Sequence, residues 1–199
     1  MPHGNGVKTR LSLQSKQSAG LRRCPVNLGK LASMRIGLLS DTHGWLDPRV
    51  LHHFDDCDEI WHGGDIGSPM VAERLASHTK LRAVHGNIDG VDVRDRYPAW
   101  LQFSCEGIRV WMTHIVGHPP GYHPSVRTAL SCDLPPDVLV GGHTHVLRVW
   151  RDLKNASLLY LNPGACGKVG IHNVRTLLKF QIVDRKIAQL QVIELGPRG

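Results

Sequence analysis

The sequence has no long apolar run. None of its stretches approaches the ~18 consecutive apolar residues that a membrane-spanning helix needs, so no membrane partner is expected. It has five cysteines, an odd number, and no Cys-x-x-Cys pair. A disulfide framework and a zinc knuckle are therefore excluded, and the cysteines are predicted to be reduced thiols of a cytoplasmic protein.

Acidic residues are absent from residues 1–33, although this segment holds six of the 24 lysines and arginines. It also lacks apolar periodicity and is rich in small and polar residues, a composition that favours disorder. An acid-free leader is also typical of a transit peptide, whereas the missing apolar core excludes a secretory signal. We predict that residues 1–33 are a basic disordered leader or a mis-called start, and that residues 34–199 form the functional domain.

The net charge of +7 lies mostly in that leader. The remainder of the chain holds 18 basic and 17 acidic residues and is nearly neutral. A basic face of the kind that binds a nucleic acid polymer is therefore not expected. A content of 41% apolar and 21% charged residues is typical of a globular domain, and 199 residues suffice for one domain with a substantial core.

Strands and helices alternate in the first half of this domain. Each of two predicted helices begins with a capping residue followed by proline, Asp47-Pro48 and Ser68-Pro69. The predicted helices are 48–54, 70–78 and 124–131, and the predicted strands are 35–40, 59–62, 81–85, 100–104, 109–113, 138–140, 146–150, 158–161, 175–183 and 186–195. This order predicts an α/β protein, a four-layer α/β/β/α sandwich of two mixed β-sheets flanked by helices.

Polar side chains follow successive predicted strands, where an open α/β sheet usually binds ligands. These residues are Asp41, His43, Asp65, Asn87, His114, His143 and His145. Any one of them could be an ordinary hydrogen-bonded residue, but burying seven unpaired polar groups would be costly. A metal centre compensates all of them at once. Oxygen and imidazole ligands without thiolate suit Mn²⁺, Fe or Zn²⁺, and seven ligands suit two ions that share a carboxylate.

The motif order Asp-x-His, Gly-Asp, Gly-Asn, His, Gly-His-x-His resembles the calcineurin-like metallophosphoesterases, most of all their compact single-domain phosphodiesterases. The resemblance covers residues 34–195. It implies one metal site formed by Asp41, His43, Asp65 and His145, and a second formed by Asp65, Asn87, His114 and His143. The cofactors implied are two divalent ions, with Mn²⁺ the first choice and Ni²⁺, Fe²⁺ or Zn²⁺ as alternatives. Asp65, Asn87 and His114 are implied to be catalytic.

The resemblance further implies hydrolysis of a small phosphodiester by a hydroxide that bridges the two ions. The sequence departs from the family at one position. Many larger relatives have a histidine after the Asn of the Gly-Asn motif, where it helps to protonate the leaving group, and here that residue is Ile88. His118 and His123, in the loop after His114, are candidate substitutes that would bind substrate. The competing interpretation is that both are solvated loop histidines.

Two other functions remain open. One is a metal-deficient, protein-binding scaffold of the same fold, as in the retromer subunit that shares it, and metal content is expected to separate scaffold from enzyme. The other is a nuclease, for which Arg94, Arg96 and Arg127 could form a local basic patch. The near-neutral domain favours a small phosphoester over a polymer as the substrate. Self-association into a homo-oligomer is compatible with either function.

Overall fold

A computed structural model describes Met1, residues 33–155 and residues 158–198. The prediction that residues 1–33 are a leader or a mis-called start therefore lies outside the described residues, apart from Met1 and Ser33, and stays a prediction. Within the described ranges, no helix is long and apolar enough to cross a membrane.

Two five-stranded sheets form the centre of the domain. The strands are β1 (Ser33–Leu39), β2 (Glu59–His62), β3 (Lys80–Ala83), β4 (Trp100–Cys105), β5 (Ile108–Thr113), β6 (Gly117–His118), β7 (Gly121–Tyr122), β8 (Val138–Val140), β9 (Leu147–Asp152), β10 (Leu158–Pro163), β11 (Val174–Val183) and β12 (Lys186–Pro197). One sheet has the order β12-β11-β1-β2-β3, and the other has the order β4-β5-β8-β10-β9. The strands β6 and β7 form a separate hairpin.

Both sheets are mixed. In the first sheet β1, β2 and β3 are parallel, and β11 and β12 extend it in antiparallel fashion. In the second sheet β5, β8 and β10 are parallel, while the edge strands β4 and β9 are antiparallel to their neighbours. The carboxyl ends of parallel strands meet at one edge of each sheet, so the loops that follow them can build a common site.

Helices cover the outer faces of the two sheets. They are α1 (Pro48–His53), α2 (Pro69–His78), α3 (Val91–Arg94) and α4 (Pro124–Leu130). A first core packs Leu38 and Trp61 of one sheet against Met112 and Leu161 of the other. A second core lies beneath α1 and α2, and a third beneath α4. The four-layer α/β/β/α sandwich predicted from the sequence is confirmed.

The cap-and-proline signals mark real helix starts. The side chain of Asp47 accepts a hydrogen bond from the backbone N–H of Arg49, and that of Ser68 accepts one from Met70. Both caps satisfy amide groups that a first helical turn leaves without partners. Residues 115–123, for which no element was predicted, contain the hairpin of β6 and β7. The short helix α3 was not predicted either, because it has no periodic pattern.

Candidate metal centre

The loops that follow β1 and β2 are joined by backbone hydrogen bonds. The N–H groups of Asp41, His43 and Gly44 donate to the carbonyl oxygens of Gly64, Asp65 and Ile66 at 3.0, 3.0 and 2.8 Å respectively. Because β1 and β2 are adjacent and parallel, these loops run side by side as soon as the strands end. The pairing fixes the separation between the side chains of Asp41, His43 and Asp65.

Six of the seven predicted ligands converge in two groups. The candidate ligand atoms of Asp41, His43, Asp65 and His145 all lie within 4.8 Å of one another, and so do those of Asp65, His114 and His143. Asp65 belongs to both groups. The seventh predicted ligand, Asn87, lines a cavity beside His114. The structure thus brings six of the seven predicted ligands together, and their binding of metal stays a prediction.

Five of these six residues have left-handed backbone conformations. The φ angles are 54° for Asp41, 47° for His43, 53° for Asp65, 66° for His143 and 58° for His145. This region is uncommon for residues other than glycine, although Asp and His enter it more readily than most. Each such residue costs of order 1–3 kcal/mol, which a fold retains where the geometry serves a purpose. Here it turns successive side chains towards one point.

The donor set fits a bound cation. Nδ1 of His114 donates to the carbonyl oxygen of Gly63 at 2.8 Å, so Nε2 is the nitrogen that faces the site and offers a lone pair when the ring is neutral. Among the described residues Nε2 of His114 is buried and makes no hydrogen bond of suitable geometry, although Oδ2 of Asp65 is 3.2 Å away. Nε2 of His43 lies 3.4 Å from Nε2 of His145. Two imidazole nitrogens this close, beside carboxylates, can both present lone pairs to a cation bound between them.

The electrostatics of the site point the same way. Burial disfavours the charged form of His114, but the carboxylates of Asp65 and Asp41 outweigh burial and raise the pKa of its imidazole. Burial likewise opposes the ionised form of Asp65, and His114 nevertheless holds the pKa of that carboxyl below its usual range. The shift at His114 reports the negative charge of the two carboxylates, whereas the shift at Asp65 reports the positive charge that a protonated His114 would place beside it. Two buried carboxylates at one point favour a bound cation, which can take the place of that proton.

Small residues make the close approach possible. A Cβ at Gly64 would lie 2.6 Å from Nδ1 of His114, and one at Gly86 would lie 2.0 Å from Oδ1 of Asp65. Gly64 also has a φ of 99°, which L side chains rarely adopt. Any larger residue at these two positions would displace a candidate ligand.

A second layer of hydrogen bonds holds the loop of Asp41 and His43. His62, at the end of β2, accepts from the N–H of Gly64 at Nδ1 and donates from Nε2 to the hydroxyl of Thr42, 3.0 Å away. The hydroxyl of Thr42 in turn donates to the carbonyl of Ile66. Complete burial lowers the pKa of His62 to about 4, so the ring is neutral as this network requires. His62 was predicted only as the last residue of a strand, because no motif marks it as part of the site.

Asp89 fixes the loop that carries Asn87. Its buried carboxylate accepts from the N–H groups of Gly86, Ile66 and Gly67 at 2.7, 3.1 and 2.6 Å. The same carboxylate therefore joins the loop after β2 to the loop after β3.

Replacing Asp89 by alanine is expected to lower the free energy of unfolding by roughly 3–5 kcal/mol, since several buried N–H groups would lose a charged acceptor. Urea titration of Asp89→Ala and the unchanged protein measures this loss. Asp92→Ala, an exposed carboxylate on α3, is the matched control and should change stability by less than about 0.5 kcal/mol. Equal stabilities of the two variants would contradict the structural role of Asp89.

Asn162 and Arg198 hold two further loops against the centre. The amide of Asn162 donates to the carbonyl of Gly142 at 2.8 Å and so supports the loop of His143 and His145. The guanidinium of Arg198 donates to the carbonyls of Ala165, Gly167 and Val169 at 3.0, 2.6 and 2.9 Å. The N–H of Gly167 then donates to the carbonyl of Asp41. Arg198 is about 30 residues away in sequence from the loop that it holds, so no local pattern in the sequence predicts this contact.

The two predicted substrate-binding histidines occupy different places. His123 precedes α4 and lines the same cavity as Asn87 and His114. His118 is exposed on the β6–β7 hairpin. Ile88 is 46% exposed, and its N–H donates to Oδ1 of Asp65 at 3.1 Å. The roles of His118 and His123 in binding substrate stay predictions. The two differ in position, because His123 lines the cavity and His118 does not.

Two facing mixed sheets with a cluster of carboxylates and imidazoles at their strand ends define a class of metal-dependent hydrolases. Residues 34–185 match the family model of the calcineurin-like phosphoesterase superfamily domain. The chain belongs to this superfamily.

Two archaeal proteins show the relationship at the level of sequence. A probable metallophosphoesterase of Methanothermobacter thermautotrophicus is 33% identical over 140 residues, which cover 66% of this chain and 77% of that protein. A probable metallophosphoesterase of Methanocaldococcus jannaschii is 30% identical over 168 residues, which cover 81% of this chain and 83% of that protein.

Solved structures share the fold. An archaeal phosphodiesterase superposes with a TM-score of 0.63 at 24% identity, over 81% of this chain and all of that one. Vps29 of Entamoeba histolytica, solved in complex with Zn²⁺, superposes with a TM-score of 0.58 at 15% identity, over 81% of this chain and 99% of that one. Likeness at these identities extends to the fold alone.

Proposed function

We propose that the protein is a dinuclear, metal-dependent phosphodiesterase that hydrolyses small phosphodiesters. The observation that carries this proposal is the pair of ligand groups that share Asp65. When bound, two divalent ions supply positive charge for the phosphoryl oxygens and a water whose pKa is lowered towards neutrality. The chain itself then has to hold the ions, orient the ester and help the leaving group to depart.

The difference in burial among the candidate ligands indicates the side of the centre from which substrate arrives. Asp41, Asp65 and His114 are buried, whereas His143 is exposed. Asn87 lines the cavity that opens beside His114. The phosphodiester is therefore expected to enter between His143 and Asn87, with the carboxylates behind it. The fixed charges need little rearrangement during the reaction, which favours stabilisation of the transition state.

Departure of the leaving group needs a proton that Ile88 cannot provide. His123 is the better placed of the two loop histidines, because it lines the cavity and His118 lies on the hairpin. Nδ1 of His123 is 2.8 Å from Oγ of Ser125. With Nδ1 engaged, Nε2 is the nitrogen free to donate a proton to an ester oxygen.

A metal-by-substrate screen tests the proposal. Protein freed of metal and reloaded with Mn²⁺, Ni²⁺, Zn²⁺ or Mg²⁺ should hydrolyse aryl phosphodiesters faster than aryl phosphomonoesters with at least one of these ions. Metal-free protein is the control and should be inactive. Absence of diester hydrolysis with every ion would refute the proposal.

The scaffold remains the second candidate, because Vps29 of Entamoeba histolytica shares the fold. That protein was solved with Zn²⁺. Turnover is therefore measured beside metal content to distinguish the two functions.

A further inference from the structure

A cavity of about 200 Å³ lies beside the candidate metal centre, between α3 and the start of α4. Asn87 and His114 form the wall that it shares with the centre, and Arg94 and His123 lie among its other lining residues. It is smaller than the roughly 300–1,000 Å³ of sites for drug-sized ligands. A phosphoryl group at the centre would therefore have room for one compact substituent in this cavity.

The charge of the cavity is positive. Its lining residues within the described ranges include Arg94 and three histidines and no carboxylate. A cationic substituent, such as a quaternary ammonium group, would meet no opposite charge there. A substituent with its own negative charge would meet a guanidinium.

The guanidinium of Arg94 is held in place and not neutralised. Nε donates to the carbonyl oxygen of Asp89 at 2.6 Å, and Nη2 donates to that of Asn87 at 3.0 Å. Both acceptors are uncharged, and no described carboxylate forms an ion pair with this side chain. Arg96, two residues later, contrasts with it, because Nη1 of Arg96 pairs with Oε1 of Glu73 at 2.6 Å. An exposed arginine that is fixed by carbonyls keeps its charge available for an anion.

We infer that Arg94 makes the enzyme selective for small phosphodiesters whose leaving substituent carries a second negative charge, a carboxylate or a phosphate. This inference rests on the proposed function, since it assigns the cavity to the substituent of the ester cleaved there. Arg94 is a specificity residue in this account. Its bonds to Asn87 and Asp89 set the distance between the guanidinium and the phosphoryl group.

Equilibrium binding of monoesters that carry the proposed substituent on phosphorus tests the inference without turnover. Calorimetry would compare a phosphorylated hydroxy acid, glycerol phosphate, phosphocholine and inorganic phosphate on metal-loaded protein. The phosphorylated hydroxy acid is expected to bind at least about tenfold more tightly than glycerol phosphate, the size of effect that a charge-assisted hydrogen bond supports. Phosphocholine should bind most weakly of the three esters.

Arg94→Gln should abolish the preference for the second anion and leave the affinity for inorganic phosphate nearly unchanged. Arg94→Lys, which keeps the charge, should retain part of the preference, and Arg96→Gln is the matched control that should retain all of it. Metal content and melting temperature of each variant show whether the loop of Asn87 is intact. If Arg94→Gln is poorly folded, the comparison of Arg94→Lys with Arg96→Gln carries the test.

Two results would overturn the inference. One is equal affinity of the unchanged protein for the phosphorylated hydroxy acid and glycerol phosphate. The other is a parallel loss of inorganic phosphate binding in Arg94→Gln, which would place Arg94 on the scissile phosphoryl group. Failure of the proposed function looks different, because it would leave the binding preference in place and remove hydrolysis of every diester.

Discussion

Asp65→Asn is expected to lose both metal ions and to lower kcat/KM by at least about 10²–10³-fold, the cost of losing one preorganised electrostatic contact. The substitution keeps the shape of the side chain and removes the charge shared by the two ligand groups. Oδ2 of Asp65 lies 3.2 Å from Nε2 of His114 and 3.8 Å from Nε2 of His43, so one carboxylate serves both sides. Metal content and diester hydrolysis are the two readouts.

His143→Ala gives a matched comparison, because His143 belongs to one ligand group only. It should lose one ion of the two, while Asp92→Asn, an exposed carboxylate on α3, should lose neither. Circular dichroism would verify that each variant is folded. Two tightly bound ions and near-normal turnover in Asp65→Asn would contradict the assignment of Asp65 as the residue shared by two metal ions.

The second large effect concerns the proton for the leaving group. If His123 donates it, His123→Ala should slow hydrolysis of esters with basic leaving groups by roughly 10²–10⁴-fold, the usual contribution of general acid catalysis. Esters of acidic phenols should be affected little, since their anions leave without help. The rate of His123→Ala should therefore fall more steeply with leaving-group pKa than that of the unchanged enzyme.

His118→Ala is the control for this experiment, because His118 is a histidine of the same loop that lies outside the cavity. Its dependence on leaving-group pKa should match that of the unchanged enzyme. Ile88→His should restore part of the rate that His123→Ala loses, provided that the new imidazole reaches the ester oxygen. A steep dependence in His118→Ala alone would assign the proton to His118 instead.

The sequence predicted the architecture and the candidate ligands for the same physical reason. An apolar strand that ends in a polar residue delivers that side chain to the sheet edge, and Asp41, Asp65 and His143 all follow apolar strands closely. The two facing sheets with helices outside them were predicted from the alternation of elements, and the strand order was not predicted. The pattern predicted that these side chains converge. The structure adds the distances between their candidate ligand atoms, which lie within 4.8 Å of one another in each group.

Other parts of the site left no such pattern. The short helix α3 has only four residues and no amphipathic period, so Arg94 could be placed only as a member of a basic patch. Asp89 and Arg198 act by accepting from or donating to backbone groups of distant loops. Such contacts depend on where loops meet in space, which local residue preferences do not encode. The same limit left His118 and His123 equivalent until the cavity separated them.

Hydrolysis measured against metal added to metal-free protein is the most direct test of the central claim. Initial rates on an aryl phosphodiester would be followed as Mn²⁺ is titrated in, at protein concentrations well above the dissociation constants. We predict that the rate rises mainly with the second equivalent of metal and reaches its plateau at two ions per chain. A plateau at one ion per chain, or no hydrolysis at any metal concentration, would contradict it.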